Sequence, residues 1–173
     1  MADEVTIVVY KCNLNEMKWA QMGNGAQIHH SRKTLTPFDQ AYLPKFGVSL
    51  YRLAPGKRAF PRHEHLANDE GILVTRGSGT LRYGDQEIAL AEGDYVHLPA
   101  ASGRAHHMIN TSEAELEYYC FSSIVLPETV LYPDSNKLGA YSLKKAVHGG
   151  GWQRSGYILR NEPVGYFDGE EPD

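Results

Sequence analysis

The sequence predicts an all-β domain, either a sandwich or a closed barrel. Three observations carry that expectation. From residue 47 onward, short apolar or alternating runs recur at intervals of about 8–12 residues, with Gly, Pro, Asn or Asp between them. The same region holds no amphipathic run of about 12 residues or more with helical periodicity. No unit repeats at about 20–50 residues, which excludes a solenoid or a propeller.

The expected strands follow in order. GVSLYRL (47–53) stops at Ala54-Pro55-Gly56, a turn signal. GILVTRG (71–77) is rich in aliphatic and β-branched residues and closes on Gly77-Ser78-Gly79. TLRYG (80–84) and QEIAL (86–90) flank Gly84-Asp85, the signature of a tight hairpin. DYVHLP (94–99) ends at a proline, and HHMIN (106–110) and ELEYYCFSSI (115–124) complete the series. The expected organisation is an N-terminal extension over 1–45, a barrel core over 46–126 and a C-terminal segment over 127–173 that wraps the barrel. The extension carries one strand, Val5–Tyr10, and then a polar stretch, GNGAQIHHSRKTLTP, that reads as an excursion loop. The first strand is apolar and suits pairing at the edge of a second copy, so a homodimer is expected.

Composition narrows the function classes. The chain of 173 residues is 42% hydrophobic and 22% charged, which suits one globular domain with its own core. A net charge of −4 without a Lys/Arg cluster argues against a nucleic-acid partner. No apolar run approaches the roughly 20 residues that span a bilayer, and the acidic start does not resemble a secretory signal. A cytoplasmic protein is expected, with Cys12 and Cys120 as reduced thiols.

The chemistry concentrates at His63, His65, Glu70 and His106. The first two are separated by one residue, so a strand points both imidazoles to one face. Glu70 would fall on the opposite face of an unbroken strand, but Leu66-Ala67-Asn68-Asp69 carries a turn signal that lets it face the same cavity. His106 follows after the expected hairpins, on a strand able to close the ring. Neutral imidazoles and one carboxylate suit one divalent Fe, Mn, Ni, Cu or Zn ion better than Ca or Mg, which prefer oxygen. An octahedral ion would keep two positions open for a small molecule.

At these residues the sequence resembles the cupin superfamily. Its first motif is matched by Gly56, His63, His65, Glu70 and Gly77, and its second by Gly93-Asp94, Pro99-Ala100, His106 and Asn110. Tyr132-Pro133-Asp134-Ser135 and Phe167-Asp168-Gly169-Glu170 are similar to segments of a bacterial single-domain branch. The resemblance implies a double-stranded β-helix, or jelly-roll barrel, with irregular N- and C-terminal extensions and a metal near one mouth. It does not imply an activity, because the superfamily spans isomerases, epimerases, dioxygenases, lyases, storage proteins and sensors.

Two functions stay open from the residues. One is a metal-dependent enzyme of isomerase, epimerase or dioxygenase type acting on a small oxygenated molecule. The other is a non-catalytic barrel that binds a metal or small ligand. Tyr51, Arg52, Arg76 and Asn110 are candidate substrate-binding residues, with Arg58 and Tyr83 nearby. Ile72 and Val74 share the parity of Glu70 and should line the interior. Glu64 should point outward and His107 away from the ring of ligands. His29, His30, His97 and His148 read as solvated or structural. No residue stands out as a catalytic acid or base.

Overall fold

The computed structural model describes residues 10–37, 44–145, 152–165 and 168. Val5–Tyr10 falls outside these except for its last residue, and His148 and the Phe167-Asp168-Gly169-Glu170 segment fall outside except for Asp168. Among the described residues there is no α-helix, and no helix is long and apolar enough to cross a membrane.

The strands are β1 (Ala20–Asn24), β2 (Ile28–Thr34), β3 (Phe46–Leu53), β4 (Glu64–His65), β5 (Glu70–Arg76), β6 (Ser78–Tyr83) and β7 (Gln86–Ala91). They continue with β8 (Tyr95–Leu98), β9 (His106–Ile109), β10 (Leu116–Ser123), β11 (Glu128–Tyr132), β12 (Lys137–Lys145) and β13 (Trp152–Arg160). Three sheets result, in the orders β1-β2-β3-β10-β5-β8, β13-β12-β11-β4 and β7-β6-β9. This is the double-stranded β-helix that the sequence predicts. Every strand expected from residue 47 to 124 is present within a few residues of its predicted limits.

The hairpin β6–β7 turns at Gly84-Asp85, and Gly84 adopts φ +59°, a left-handed conformation that glycine enters without steric cost. Gly77, between β5 and β6, has φ +78°, and a Cβ there would strike the Glu115 carbonyl. The first motif therefore ends on glycine for a backbone reason. Inside the barrel, Leu53, Ile72, Val74, Leu81, Leu98, Met108, Leu116 and Tyr118 form one cluster. The alternating residues of β5 supply two of these, Ile72 and Val74, as strand parity requires.

Two regions depart from the sequence expectation. The polar stretch after residue 22 is not an excursion loop. It folds as the hairpin β1–β2, turning at Gly25 (φ +69°), and β2 extends the sheet by pairing with β3 through Ser31↔Arg52 and Arg32↔Tyr51. Backbone pairing to β3 overrides the low apolar content that suggested a loop. The same pairing corrects His30, expected on the surface. It is 2% exposed, packs against Tyr51 and Phe60, and its Nδ1 lies 2.7 Å from the Ala59 carbonyl oxygen. Burial lowers its pKa from 6.5. In the C-terminal segment, β11 pairs with β4 through Val130↔His65 and Leu131↔Glu64. Chain beyond residue 126 thus stands directly beside the first motif.

Asn110 also takes a definite place. It is fully buried; its Nδ2 donates to the carbonyls of Leu53 at 2.9 Å and Ala114 at 2.7 Å. Its Oδ1 accepts from the Ser112 amide and hydroxyl at 3.0 and 2.8 Å. Three of these bonds hold the turn between β9 and β10, and the one to Leu53 ties that turn to the end of β3. Asn110→Ala should lower stability by about 3 kcal/mol, since it strips partners from several buried backbone groups. Urea unfolding checks this, and metal affinity of the folded variant should match the parent.

Candidate metal centre

His63 and His106 face each other across an antiparallel bridge just ahead of β4 and at the start of β9. The His63 amide donates to the His106 carbonyl at 3.0 Å and the His106 amide to the His63 carbonyl at 2.7 Å. A pair that exchanges both bonds presents its side chains on the same face. The two rings lie 4.7 Å apart between centroids, and the His65 ring lies 5.0 Å from that of His63.

The turn at 66–69 brings in Glu70. Asn68 anchors it, accepting the Val125 amide at 2.6 Å and the Ser123 hydroxyl at 3.1 Å, while the Asp69 Oδ1 accepts the Ala100 amide at 2.8 Å. Glu70 then opens β5 with its carboxylate inward. Its Oε2 lies 2.9 Å from His106 Nε2 and its Oε1 3.6 Å from His65 Nε2. One donor atom each from His63, Glu70 and His106 falls within 4.8 Å of the others.

The charges suit a cation. Burial opposes ionisation of Glu70, but the hydrogen bond from His106 and the fields of His65 and His63 prevail and hold its pKa down at about 2. Burial lowers His63 to about 4 against the pull of Glu70, so its imidazole is neutral in ordinary buffers. The His63 Nδ1 lies 2.9 Å from the Pro61 carbonyl, which can only accept, so Nδ1 carries the hydrogen and Nε2 keeps its lone pair. An ionised carboxylate among imidazoles is a donor set that suits a divalent transition metal, and the residues fit such an ion.

This cluster forms part of the wall of a cavity of about 290 Å³. Tyr51 and Tyr118 stack beside it at 5.4 Å, and Cys120 and Ser122 follow Tyr118 at alternate positions of β10. The Cys120 thiol donates to Glu70 Oε1 at 3.6 Å, and burial followed by the charge of Glu70 pushes its pKa up. Burial pushes Tyr51 up to about 12 and Tyr118 well above its usual value, so both phenols stay protonated. Sequence reasoning missed Tyr118, Cys120 and Ser122 as cavity residues, although their two-residue spacing carried the signal.

Of the candidate substrate-binding residues, Tyr51 lines the cavity and three others do not. Arg52 binds Glu117 at 2.7 Å and lies over the Trp19 ring at 4.3 Å. Arg76 is exposed at the end of β5, and Asn110 holds its turn. Arg58 pairs through its backbone with β9, and Tyr83 lines a separate recess with Arg62 and Arg104. Glu64 does point away from the histidines, but it is buried and accepts the Gly103 amide at 2.6 Å instead of meeting water. His97, on the surface, lies 3.8 Å from Asp69. His107 is 3% exposed, and neither ring nitrogen has a hydrogen-bond partner among the described residues.

Residues 49–122 match the family of the cupin domain. The barrel of this chain has the fold of that domain. Among solved structures, a sugar phosphate isomerase of the cupin superfamily from Silicibacter pomeroyi is 24% identical, with a TM-score of 0.65 over 84% of this chain and 92% of that one. A protein from Acidithiobacillus ferrooxidans assigned as a sugar phosphate isomerase is 22% identical, with a TM-score of 0.64 over 82% and 86%. A predicted oxalate decarboxylase from Thermotoga maritima is 18% identical, with a TM-score of 0.59 over 67% and 100%. These likenesses establish a shared fold. No curated protein matches the sequence.

The histidines give metal-free protein a pH dependence. Burial first, then the Arg58 and Arg82 charges, hold His107 at about 4, alongside His63 at about 4, against 6.5 for an ordinary imidazole. Between those values the unfolded chain binds more protons than the folded one, so acidification favours unfolding. Stability should fall as pH drops from about 6.5 toward 4, whereas the share due to Glu70 is lost only below its ordinary value of 4.5. Thermal scans across this window check the slope, and His107→Met should make it shallower.

Proposed function

We propose that this protein is a metal-dependent enzyme that isomerises or epimerises a small hydroxylated carbonyl compound. His63, His65, Glu70 and His106 are its metal ligands. The observation that carries the reading is the convergence of three histidines on one buried carboxylate in the wall of a 290 Å³ cavity. That volume suits a small molecule of sugar size. The bound ion, one of Fe, Mn, Ni, Cu or Zn, supplies a Lewis acid for a carbonyl or hydroxyl oxygen.

The chain's own residues define what enters. Glu70 contributes one negative charge to a dication, so the centre keeps about +1 and favours an anionic or chelating oxygen ligand. The described residues lining the cavity include no Lys or Arg, so positive charge there comes from the ion. Tyr51 and Tyr118, held protonated, offer hydrogen-bond donors to ligand oxygens, and Ile72 and Met108 give the floor an apolar part. Two fold neighbours described as sugar phosphate isomerases support the isomerase class.

Protein purified without added metal should carry about one transition ion per chain, and combined His63→Ala and His65→Ala should weaken binding by orders of magnitude. Metal analysis checks both statements; full metal content in the double variant overturns the ligand set. Incubating the metal-loaded protein with hydroxy-aldehydes and hydroxy-ketones in deuterated water should produce isomers carrying solvent deuterium. Oxygen consumption would replace isomerisation with dioxygenase chemistry, and tight ligand binding without turnover would leave a binding protein.

A further inference from the structure

We infer that Glu128 is a positioning residue for His65. Its buried carboxylate holds the imidazole with Nδ1 protonated and Nε2 aimed at the metal position. The inference rests on the metal-centre reading and names a residue outside the segment that matches the cupin domain.

Glu128 opens β11, whose pairing with β4 through Val130↔His65 sets its position relative to the histidine. The Leu66 amide donates to the Thr129 carbonyl at 3.0 Å, which extends that pairing to the turn after His65. Backbone geometry, not a chance side-chain reach, brings the carboxylate to this spot. Its Oε1 accepts the amides of Leu66 at 3.1 Å and Ala67 at 3.3 Å and lies 3.5 Å from His65 Nδ1, an electrostatic contact that falls short of hydrogen-bond geometry. The opposite edge of the His65 ring faces Glu70, with Nε2 at 3.6 Å from Oε1. The ring therefore spans two carboxylates, one in the cluster and one behind it.

The burial of Glu128 asks for a reason. Its side chain is 1% exposed, and Oε2 has no hydrogen-bond partner among the described residues. A half-satisfied buried carboxylate costs stability. An uncharged amide in its place would still accept from Leu66 and Ala67. The imidazole N–H is the neighbour for which a full negative charge makes a difference. A carboxylate behind a metal-binding histidine fixes its tautomer and raises its donor strength. His63 has the direct form of such support, a hydrogen bond from Nδ1 to the Pro61 carbonyl at 2.9 Å, and for His65 the carboxylate charge acts across the longer 3.5 Å contact. Glu128 also borders a cavity of about 150 Å³ that shares His65, Glu70 and Cys120 with the main one, so the supported imidazole forms part of the wall between the two spaces.

The test compares the parent with Glu128→Gln, which keeps an oxygen for the Leu66 and Ala67 amides and removes the charge. Nitrogen-15 NMR of the metal-free parent at about pH 8, where imidazoles are neutral, should show His65 as the Nδ1–H tautomer. In E128Q the population should move toward Nε2–H. Cobalt affinity, read by competition with a chelator, should fall about 10–100-fold, while the melting midpoint of the metal-free protein stays near that of the parent. Glu128→Ala, which also removes the acceptor of the Ala67 amide and the second acceptor of the Leu66 amide, should lose both affinity and midpoint. An E128Q protein with the parent's tautomer and affinity overturns the inference, as does a parent whose His65 is the Nε2–H tautomer. The parent's tautomer decides even if E128Q folds poorly. A parent that takes up no cobalt sinks the metal-centre reading instead, and the NMR comparison still judges Glu128.

Discussion

The two peptide hydrogen bonds between His63 and His106, at 3.0 and 2.7 Å, join segments that β4 to β8 separate in the chain. Everything at the centre depends on that bridge. It sets two imidazoles on one face, and it fixes where β4, and hence His65, begins. Closing so long a loop costs entropy that the bridge alone cannot supply. The core pays for it: Leu81 and Met108, cross-strand partners in β6 and β9, are both buried in the cluster that carries the second histidine strand. Site geometry thus follows from barrel packing.

Glu70 turns this geometry into an electrostatic device. A carboxylate at the start of β5, between Ser122 of β10 and Leu98 of β8, is buried by its strand neighbours on both sides. The imidazoles offset the cost of that burial, with His106 donating at 2.9 Å, and the Cys120 thiol adds a weak donor at 3.6 Å. The same oxygens that a cation would bind are thus already engaged by groups a cation can displace.

Much of this was legible in the sequence because strand parity is a strict rule. The spacing of His63 and His65, the turn signal at Asn68-Asp69 and the inward parity of Ile72 and Val74 each translate directly into the structure. Parity also put Glu64 and His107 on the face away from the histidines, yet did not tell that this face is buried. Burial depends on what packs behind a strand, and that is a tertiary fact. His30 was misread for the same reason: only pairing of β2 with β3 encloses it. The arginines failed as cavity residues because Arg52 faces Glu117 and Trp19 outside the barrel. A charged side chain near a strand is satisfied most cheaply at the surface.

The family match ends before the part of the chain that completes the cavity wall. Residues 49–122 contain the four proposed ligands, together with Tyr51, Tyr118 and Cys120. The remaining wall comes from later chain: Val130 and Tyr132 from β11, and Tyr141 from β12. The Tyr132 ring lies over His63 at 6.2 Å, and its hydroxyl is 3.5 Å from that of Tyr141. A ligand bound at the cluster must meet these phenols, and the histidine nearest to β11 must meet Glu128. On the proposed reading, barrels that share the first two motifs could share a metal and differ in reaction, because β11 both shapes the cavity wall and carries Glu128. Fold likeness at less than 25% identity reports on the barrel, and β11 and β12, which lie beyond the family match, complete the wall of the cavity.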